Sequence, residues 1–304
     1  MKILVMGGTR FVGKALVNLL LYHGHSLTLF TRGNLPPHTS VEHIKGDRNS
    51  LEDLSVLKGR SFDVIIDSSG RNKSQTESTL SVTGAPLHRF LYVSSAGVYQ
   101  DSISFPMDES TPIDIKSRHY GKFETEKYLI ESKIPFTSFR PTYIYGPGNY
   151  NPIEKWFFDR ITLNKVIPIP SNADIITQLG HVSDLAQAMA RSLEYSICRN
   201  QVYNCSAKKA VTIRGLIQLA AMACGKNSAD LKYREFNVEA LDSKSRKLFP
   251  IRLSNFFTDT SLLSSHINWE PKIGIEEGFI DSFTKDYSIL SNNQPDFSKD
   301  QLLI

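Results

Sequence analysis

The chain has 304 residues, 22% of them charged and 40% hydrophobic, with a formal net charge of +4. That is the composition of a soluble globular chain: one large α/β domain, or a large domain with a smaller appendage. No apolar run approaches the ~20 residues that a membrane span needs, and the mild positive charge permits an anionic partner without demanding one.

"KILVM" (2–6) is a short apolar run entering a glycine turn. It has neither the long apolar region nor the cleavage site of a signal peptide, and no transit segment precedes it, so a cytoplasmic location is expected. In "FVGKALVNLLLYHG", Phe11, Ala15, Leu16, Leu19 and Leu20 recur at helical spacing, with Gly24 as the stop. Strands are predicted at 26–30, 62–67, 88–95 and 134–141. Helical patterns lie between them, including "LEDLSVLKG" and "GKFETEKYLIESK". Strands alternating with helices imply right-handed βαβ units and a doubly wound parallel sheet, the Rossmann arrangement.

The second half loosens the alternation. Helices are predicted over "NPIEKWFFDRI", "VSDLAQAMARSLEY" (with Ser183 or Asp184 near its N-cap), "TIRGLIQLAAMACG" and "IGIEEGFIDSFTKDY", with a strand at "QVYNCS". Residues 226–257 look irregular. The expected organisation is a dinucleotide-binding domain over 1–150, then a smaller C-terminal lobe over 151–290 with segments returning to the sheet, then a tail over 291–304. Cys198, Cys205 and Cys224 show no zinc spacing and read as free thiols, and no metal site is expected.

"GGTRFVG" (7–13) stands between the first strand and the first helix, the context that gives a glycine turn its meaning. Gly7 makes the tight turn and Gly13 lets helix and sheet approach. The backbone of Gly7, Gly8, Thr9, Arg10, Phe11, Val12 and Gly13 is the candidate cradle for a pyrophosphate. Arg10 takes the place of the usual middle glycine. The second strand ends in Thr31 and Arg32, where an NAD enzyme places an acid. A guanidinium there favours the 2′-phosphate of NADP(H) over NAD(H); a solvated surface arginine is the alternative. Asp47, after the third strand, is read with equal weight as an adenine ligand or as the N-terminal acid of the next helix.

With "VSSAGVY" (93–99), "RPTYIYGPGN" (140–149), "GHVSDLAQA" (180–188) and "NWEP" (268–271), this turn resembles the extended short-chain dehydrogenase/reductase superfamily. "SRHYGK", "NYNPIEKWFF", "ITQLGHV" and "PDFSKDQLLI" are similar to the chloroplast stem-loop-binding RNA-binding proteins and their cyanobacterial relatives within it. The resemblance implies a dinucleotide-binding fold, RNA as partner, RNA cleavage, and assembly into a homo-oligomer or larger complex.

Active members of the superfamily use a serine, a tyrosine as acid/base, and a lysine four residues after the tyrosine. Ser95 matches the serine; a strand-end serine bonded to local backbone is its alternative. "RHYGKFE" (118–124) offers two registers. Tyr120 pairs at that spacing with Glu124, a carboxylate that would raise the tyrosine pKa. Lys122 pairs with Arg118. The following "GKFETEKYL" favours Lys122 as the lysine, with Arg118 in the place of the tyrosine. Tyr120 cannot substitute, because residues two apart on a helix point about 200° away from each other. Thr177 stands where epimerases often carry a diphosphate-gripping arginine, and His181 reads as a buried hydrogen-bonding residue rather than a catalyst.

No RNA-binding module is written in the sequence. "KWFFDR" sets Lys155 and Arg160 around aromatics, and "KYREF" and "SKSRKLFPIR" put cations beside Tyr233, Phe236 and Phe249. Such mixtures can track phosphates and stack bases; a core aromatic face with solvated rims is the other reading. The leading expectation is an RNA-binding, RNA-cleaving protein that holds NADP(H) without the standard tyrosine–lysine pair. The alternatives are a nucleotide-sugar epimerase, dehydratase or reductase, and a redox-responsive scaffold.

Overall fold

The computed structural model describes residues 1–151, 153–290 and 295–303. The expected tail therefore lies outside the described residues at 291–294 and 304, as does Pro152 in "NYNPIEKWFF". The chain forms two compact units: Met1–Thr142 with Val182–Ser206 and Thr258–Glu270, and Tyr143–His181 with Ala207–Phe257 and Pro271–Ile304.

The first unit is built on strands β1 (Lys2–Met6), β2 (Ser26–Thr31), β3 (Glu42–Lys45), β4 (Val64–Asp67), β5 (Arg89–Val93) and β6 (Phe136–Pro141). With the strand Gln201–Cys205 they make a seven-stranded sheet, ordered Gln201–Cys205, β6, β5, β4, β1, β2, β3. Every pairing in it is parallel. A parallel sheet must bury both faces, and the apolar runs of β1, β4 and β5 do so. Leu4 and Met6 face a cluster containing Leu54, Leu80 and Leu129. Ile3 and Val5 turn to the opposite face by the period of two. There α1 (Phe11–Tyr22) packs against the helix Val182–Ser192. The sheet order reverses between β1 and β4, so their carboxyl ends open a crevice at the topological switch point.

The strand and helix expectations of the first half hold to within a few residues. "LEDLSVLKG" makes only a helical turn, Leu51–Leu54, running into a 3-10 turn, Ser55–Leu57, before Gly59 at φ 76°. The helix Lys73–Thr83 carries little apolar periodicity and was not legible; Asn72 caps it by accepting from the Gln75 N–H at 3.2 Å. The helix Val182–Ser192 starts one residue before Ser183, so Ser183 and Asp184 lie near its N-terminus as expected, inside the first turn, where the Asp184 carboxylate complements the helix dipole.

The second unit has its own core, where Phe157, Phe158, Ile213, Leu216, Ile217 and Phe279 are essentially sealed from solvent. The stretch 226–257, expected to be irregular, contains the strand Tyr233–Phe236, parallel to Ile167–Pro170, and the 3-10 turn Ser245–Leu248. Glu154, on the helix Ile153–Thr162, is 2% exposed and accepts the Gly146 N–H at 3.2 Å. Burial pushes its carboxyl up to about 7.

Candidate functional site

The glycine turn sits at the switch point, between β1 and α1. Gly7 and Gly8 have φ of 108° and 103°, which side chains rarely adopt. A Cβ on Gly13 would lie 2.7 Å from the Gly8 nitrogen and 2.8 Å from its Cα, so only glycine lets the helix start meet the turn. Phe11, the first residue of α1, is buried with φ at 40°, a strained conformation for a bulky residue that nothing in the sequence signalled. These features fit a pyrophosphate held by backbone N–H groups at a helix N-terminus. Arg10 is exposed at the N-cap position. A cavity of about 210 Å³ opens beside the turn, lined in part by Gly8, Thr9, Lys14, Asn18 and His38. Gly13→Ala is expected to cost about 1–3 kcal/mol through overpacking and to abolish dinucleotide binding, measured by thermal melts with and without NADP(H).

Arg32 is exposed and close enough to Asp47 to help lower its pKa. The larger cause is the Asn49 N–H, which donates to Asp47 Oδ1 at 2.9 Å. Ser50, not Asp47, caps the Leu51–Leu54 turn, accepting from the Asp53 N–H at 3.1 Å. Asp47 thus stays just beyond the end of β3.

Sequence reading missed the ion pair beneath this rim. Asp67, at the end of β4, is fully buried. Arg48 grips it in bidentate fashion, Nη1 to Oδ1 at 2.6 Å and Nη2 to Oδ2 at 2.7 Å, and Nη1 also donates to Ser69 Oγ at 2.9 Å. The Gly70 and Ser69 N–H groups donate to Asp67 Oδ1 at 2.7 and 3.1 Å. Burial alone would raise the Asp67 pKa, but Arg48 and these N–H groups outweigh it and hold the carboxyl below its ordinary value. A charged pair separated by 19 residues, one in the turn after β3 and the other at the end of β4, leaves no local pattern to read.

Ser95 and Lys122 meet the carboxyl end of β5. Ser95 Oγ accepts from the Gly97 N–H at 3.1 Å and caps the 3-10 turn Ala96–Val98. Lys122 lies in the first turn of the helix Tyr120–Glu131, and its Nζ donates to the Val93 carbonyl at 2.5 Å, above the Tyr92 ring. Burial pushes the Lys122 pKa down to about 8, with Asp67 and Glu126 opposing. Arg118 is not brought in: it lies ahead of the helix, exposed, with Nε donating to His119 Nε2 at 3.1 Å. Tyr120 opens the helix with its ring against Phe123. His119 was not singled out by the sequence, yet its ring approaches Gly97, where an added Cβ would sit 2.6 Å from His119 Cδ2 and 3.1 Å from Ser95 Oγ. Behind Lys122, Glu126 binds Arg140, whose Nη1 donates to Tyr99 Oη at 3.0 Å, and Tyr99 donates to Asn204 at 2.8 Å.

In the second unit, His181 is buried with its ring edge-on to Tyr145, and Thr177 is fully buried. "KWFFDR" is an internal segment. Phe157 and Phe158 are core residues, Lys155 pairs with Asp159, and Arg160 is 5% exposed. The Arg160 guanidinium stacks 3.5 Å over Trp156 and is held by Asp300. Of the aromatics beside the other cations, Phe236 and Phe249 are buried and Tyr233 is exposed.

A seven-stranded parallel sheet with a glycine turn at its switch point and a serine and lysine at the end of β5 defines a dinucleotide-binding fold of the epimerase type. The profile of the NAD dependent epimerase/dehydratase family matches residues 3–206, and the chain belongs to that family. Along its whole length it is 38% identical to the chloroplast stem-loop binding protein of 41 kDa b from Arabidopsis thaliana, covering 84% of that protein. It is 23% identical to a 3-beta-hydroxysteroid dehydrogenase of Mycolicibacterium neoaurum over 76% of this chain and 72% of that one. Among solved structures, the UDP-glucose 4-epimerase of Thermotoga maritima superposes with a TM-score of 0.79 at 17% identity, over 95% of this chain and 100% of that one. The Thermus thermophilus UDP-glucose 4-epimerase, solved with NAD, gives 0.77 at 19% identity, over 94% and 98%. These two likenesses establish the fold. Among the described residues no helix is long and apolar enough to cross a membrane, and no group of His, Cys, Asp and Glu could hold a metal ion.

Proposed function

We propose that this protein binds RNA, holds NADP(H) at the Gly7–Gly13 turn, and lacks the tyrosine–lysine pair of standard hydride transfer. The observation that carries the reading is the pairing of a retained Lys122 with a displaced partner position. The ammonium is buried at the end of β5, while the residue four positions earlier is the exposed Arg118. The full-length likeness to a stem-loop binding protein supports RNA as the partner. In this reading Lys122 and Ser95 face the nicotinamide end of the dinucleotide, Asp47 faces the adenine, and Arg32 the 2′-phosphate.

Two measurements test it. An RNA hairpin should be retained at low salt and released steeply as salt rises. NADP(H)-dependent turnover of a nucleotide sugar, abolished by Ser95→Ala, would instead establish an epimerase or reductase, the reading that the joint placement of Ser95 and Lys122 at one strand end favours. For the cofactor, Arg32→Glu is expected to weaken NADP+ binding by about tenfold, worth ~1.4 kcal/mol, with NAD+ changed far less, as read by calorimetry. Equal losses for both would remove the 2′-phosphate role.

A further inference from the structure

Charge is unevenly divided along the chain. The whole sequence is +4, yet residues 207–257 carry ten lysines and arginines against four acids, a net of +6 that leaves the remainder at −2. All of this segment belongs to the second unit. Its two basic stretches share one foundation, since the buried rings of Phe236 and Phe249 meet at 5.6 Å. Outside that pairing of rings, the strand Tyr233–Phe236 is bonded, among the described residues, on one side only, to Ile167–Pro170. Lys232, Tyr233 and Arg234 are exposed along it. The turn Ser245–Leu248, directly before Phe249, exposes Arg246 and Lys247.

Several cations elsewhere are neutralised locally. On the helices, Lys73, Lys127, Lys155 and Lys285 each have a carboxylate one turn away. Among the described residues, Lys232, Arg234, Arg246 and Lys247 have no ion-pair partner. The acid nearest in sequence to the turn, Asp242, is engaged by the Lys244 and Ser245 N–H groups at 2.9 and 2.7 Å. Glu235 and Glu239 are exposed in the same segment and reduce its charge without cancelling it. Tyr233 lies between Lys232 and Arg234 in sequence, 38% exposed, with its hydroxyl donating to the Ser228 carbonyl and Arg214 near enough to act on it. Unpaired cations in the same segment as an anchored, exposed ring are the elements of a surface that follows a phosphate backbone while a base stacks.

We infer that this face of the second unit is where single-stranded RNA docks, with Lys232, Arg234, Arg246 and Lys247 on phosphates and Tyr233 under a base. The inference rests on the RNA-binding reading and adds its location. The test uses the full chain and a labelled RNA hairpin with a long unpaired loop, followed by anisotropy from 25 to 200 mM salt. The combined variant Lys232→Gln, Arg234→Gln, Arg246→Gln, Lys247→Gln should bind at least about tenfold more weakly, with its salt slope reduced by roughly 0.7 for each phosphate no longer neutralised. Tyr233→Ala should weaken the looped hairpin about fivefold or more and leave a blunt duplex unchanged. These side chains are exposed, so unaltered circular dichroism and melting are expected as controls. Unchanged affinity and slope in the combined variant, or weakening confined to Arg10→Gln with Arg32→Gln, would overturn this placement while leaving RNA binding standing. Displacement of the RNA by polyglutamate of equal charge would also overturn it, in favour of an acidic protein partner. Absence of any retention by the unaltered chain at 25 mM salt would overturn the RNA reading itself.

Discussion

Asp67→Ala is expected to destabilise the first unit by about 3–5 kcal/mol, because it strands the Arg48 guanidinium beneath the sheet end without a counter-charge. Arg48 is 11% exposed and Asp67 1%, so water cannot replace the missing partner. The same carboxylate also accepts the Gly70 and Ser69 N–H groups, which fix the loop after β4 beside the glycine turn. A Cβ on Gly7 would come within 2.7 Å of Ser68 Oγ, so that loop and the turn already lie against each other. Loss of nucleotide binding should therefore accompany the loss of stability. Replacing both charges, Asp67→Leu with Arg48→Met, should recover much of the deficit, since a buried pair is often matched by apolar residues of similar volume. Urea titrations of the parent and the two variants decide the matter: an Asp67→Ala protein within about 1 kcal/mol of the parent would show that the pair is not desolvated in solution.

The second large effect is one of pH. Glu154 is buried and its carboxyl is pushed up to about 7, so the folded second unit holds a proton that the unfolded chain releases near 4.5. The folded state binds more protons between those values, and stability must fall as pH rises through them. The contribution is fully present below about 4.5 and lost above about 7, on the order of 3 kcal/mol for a shift of this size. Glu154→Gln should remove that slope and make the variant the more stable of the two at pH 8. Melting temperatures from pH 5 to 8 test this, and parallel curves for the two proteins would refute it. Asp286 adds to the upward push on Glu154, so Asp286→Asn should move the midpoint down.

The two effects also mark what the sequence could and could not convey. β1, β4 and β5 are apolar runs of fixed length bounded by turn residues, and the glycine turn has local spacing, so both were legible. Lys122 could be singled out because the helix after it keeps a recognisable order, and the structure sets it at the end of β5. What resisted reading depends on pairs distant in the chain. Arg48 and Asp67 look like two ordinary surface charges until β3 and β4 place them together. Arg160 reads as a solvated cation beside aromatics, yet Asp300, 140 residues on, draws it into the interior. The helix Lys73–Thr83 escaped notice because most of its residues are polar and only Thr76, Thr79 and Leu80 are buried. His119 carried no spacing signal, since its approach to Gly97 comes from the turn that precedes the helix.

The edge strand of the main sheet has a further consequence, for synthesis on the ribosome. β6 is buried along its whole length, but the strand that covers it, Gln201–Cys205, is encoded about 60 residues later. At roughly 5–20 residues per second, a nascent chain spends several seconds with Phe136–Pro141 made and its partner not yet translated. For that interval the strand presents unpaired backbone groups, the kind of edge that invites pairing with another chain. The vectorial order of translation, rather than the finished structure, then leaves "FTSFRP" open to misassembly for that interval.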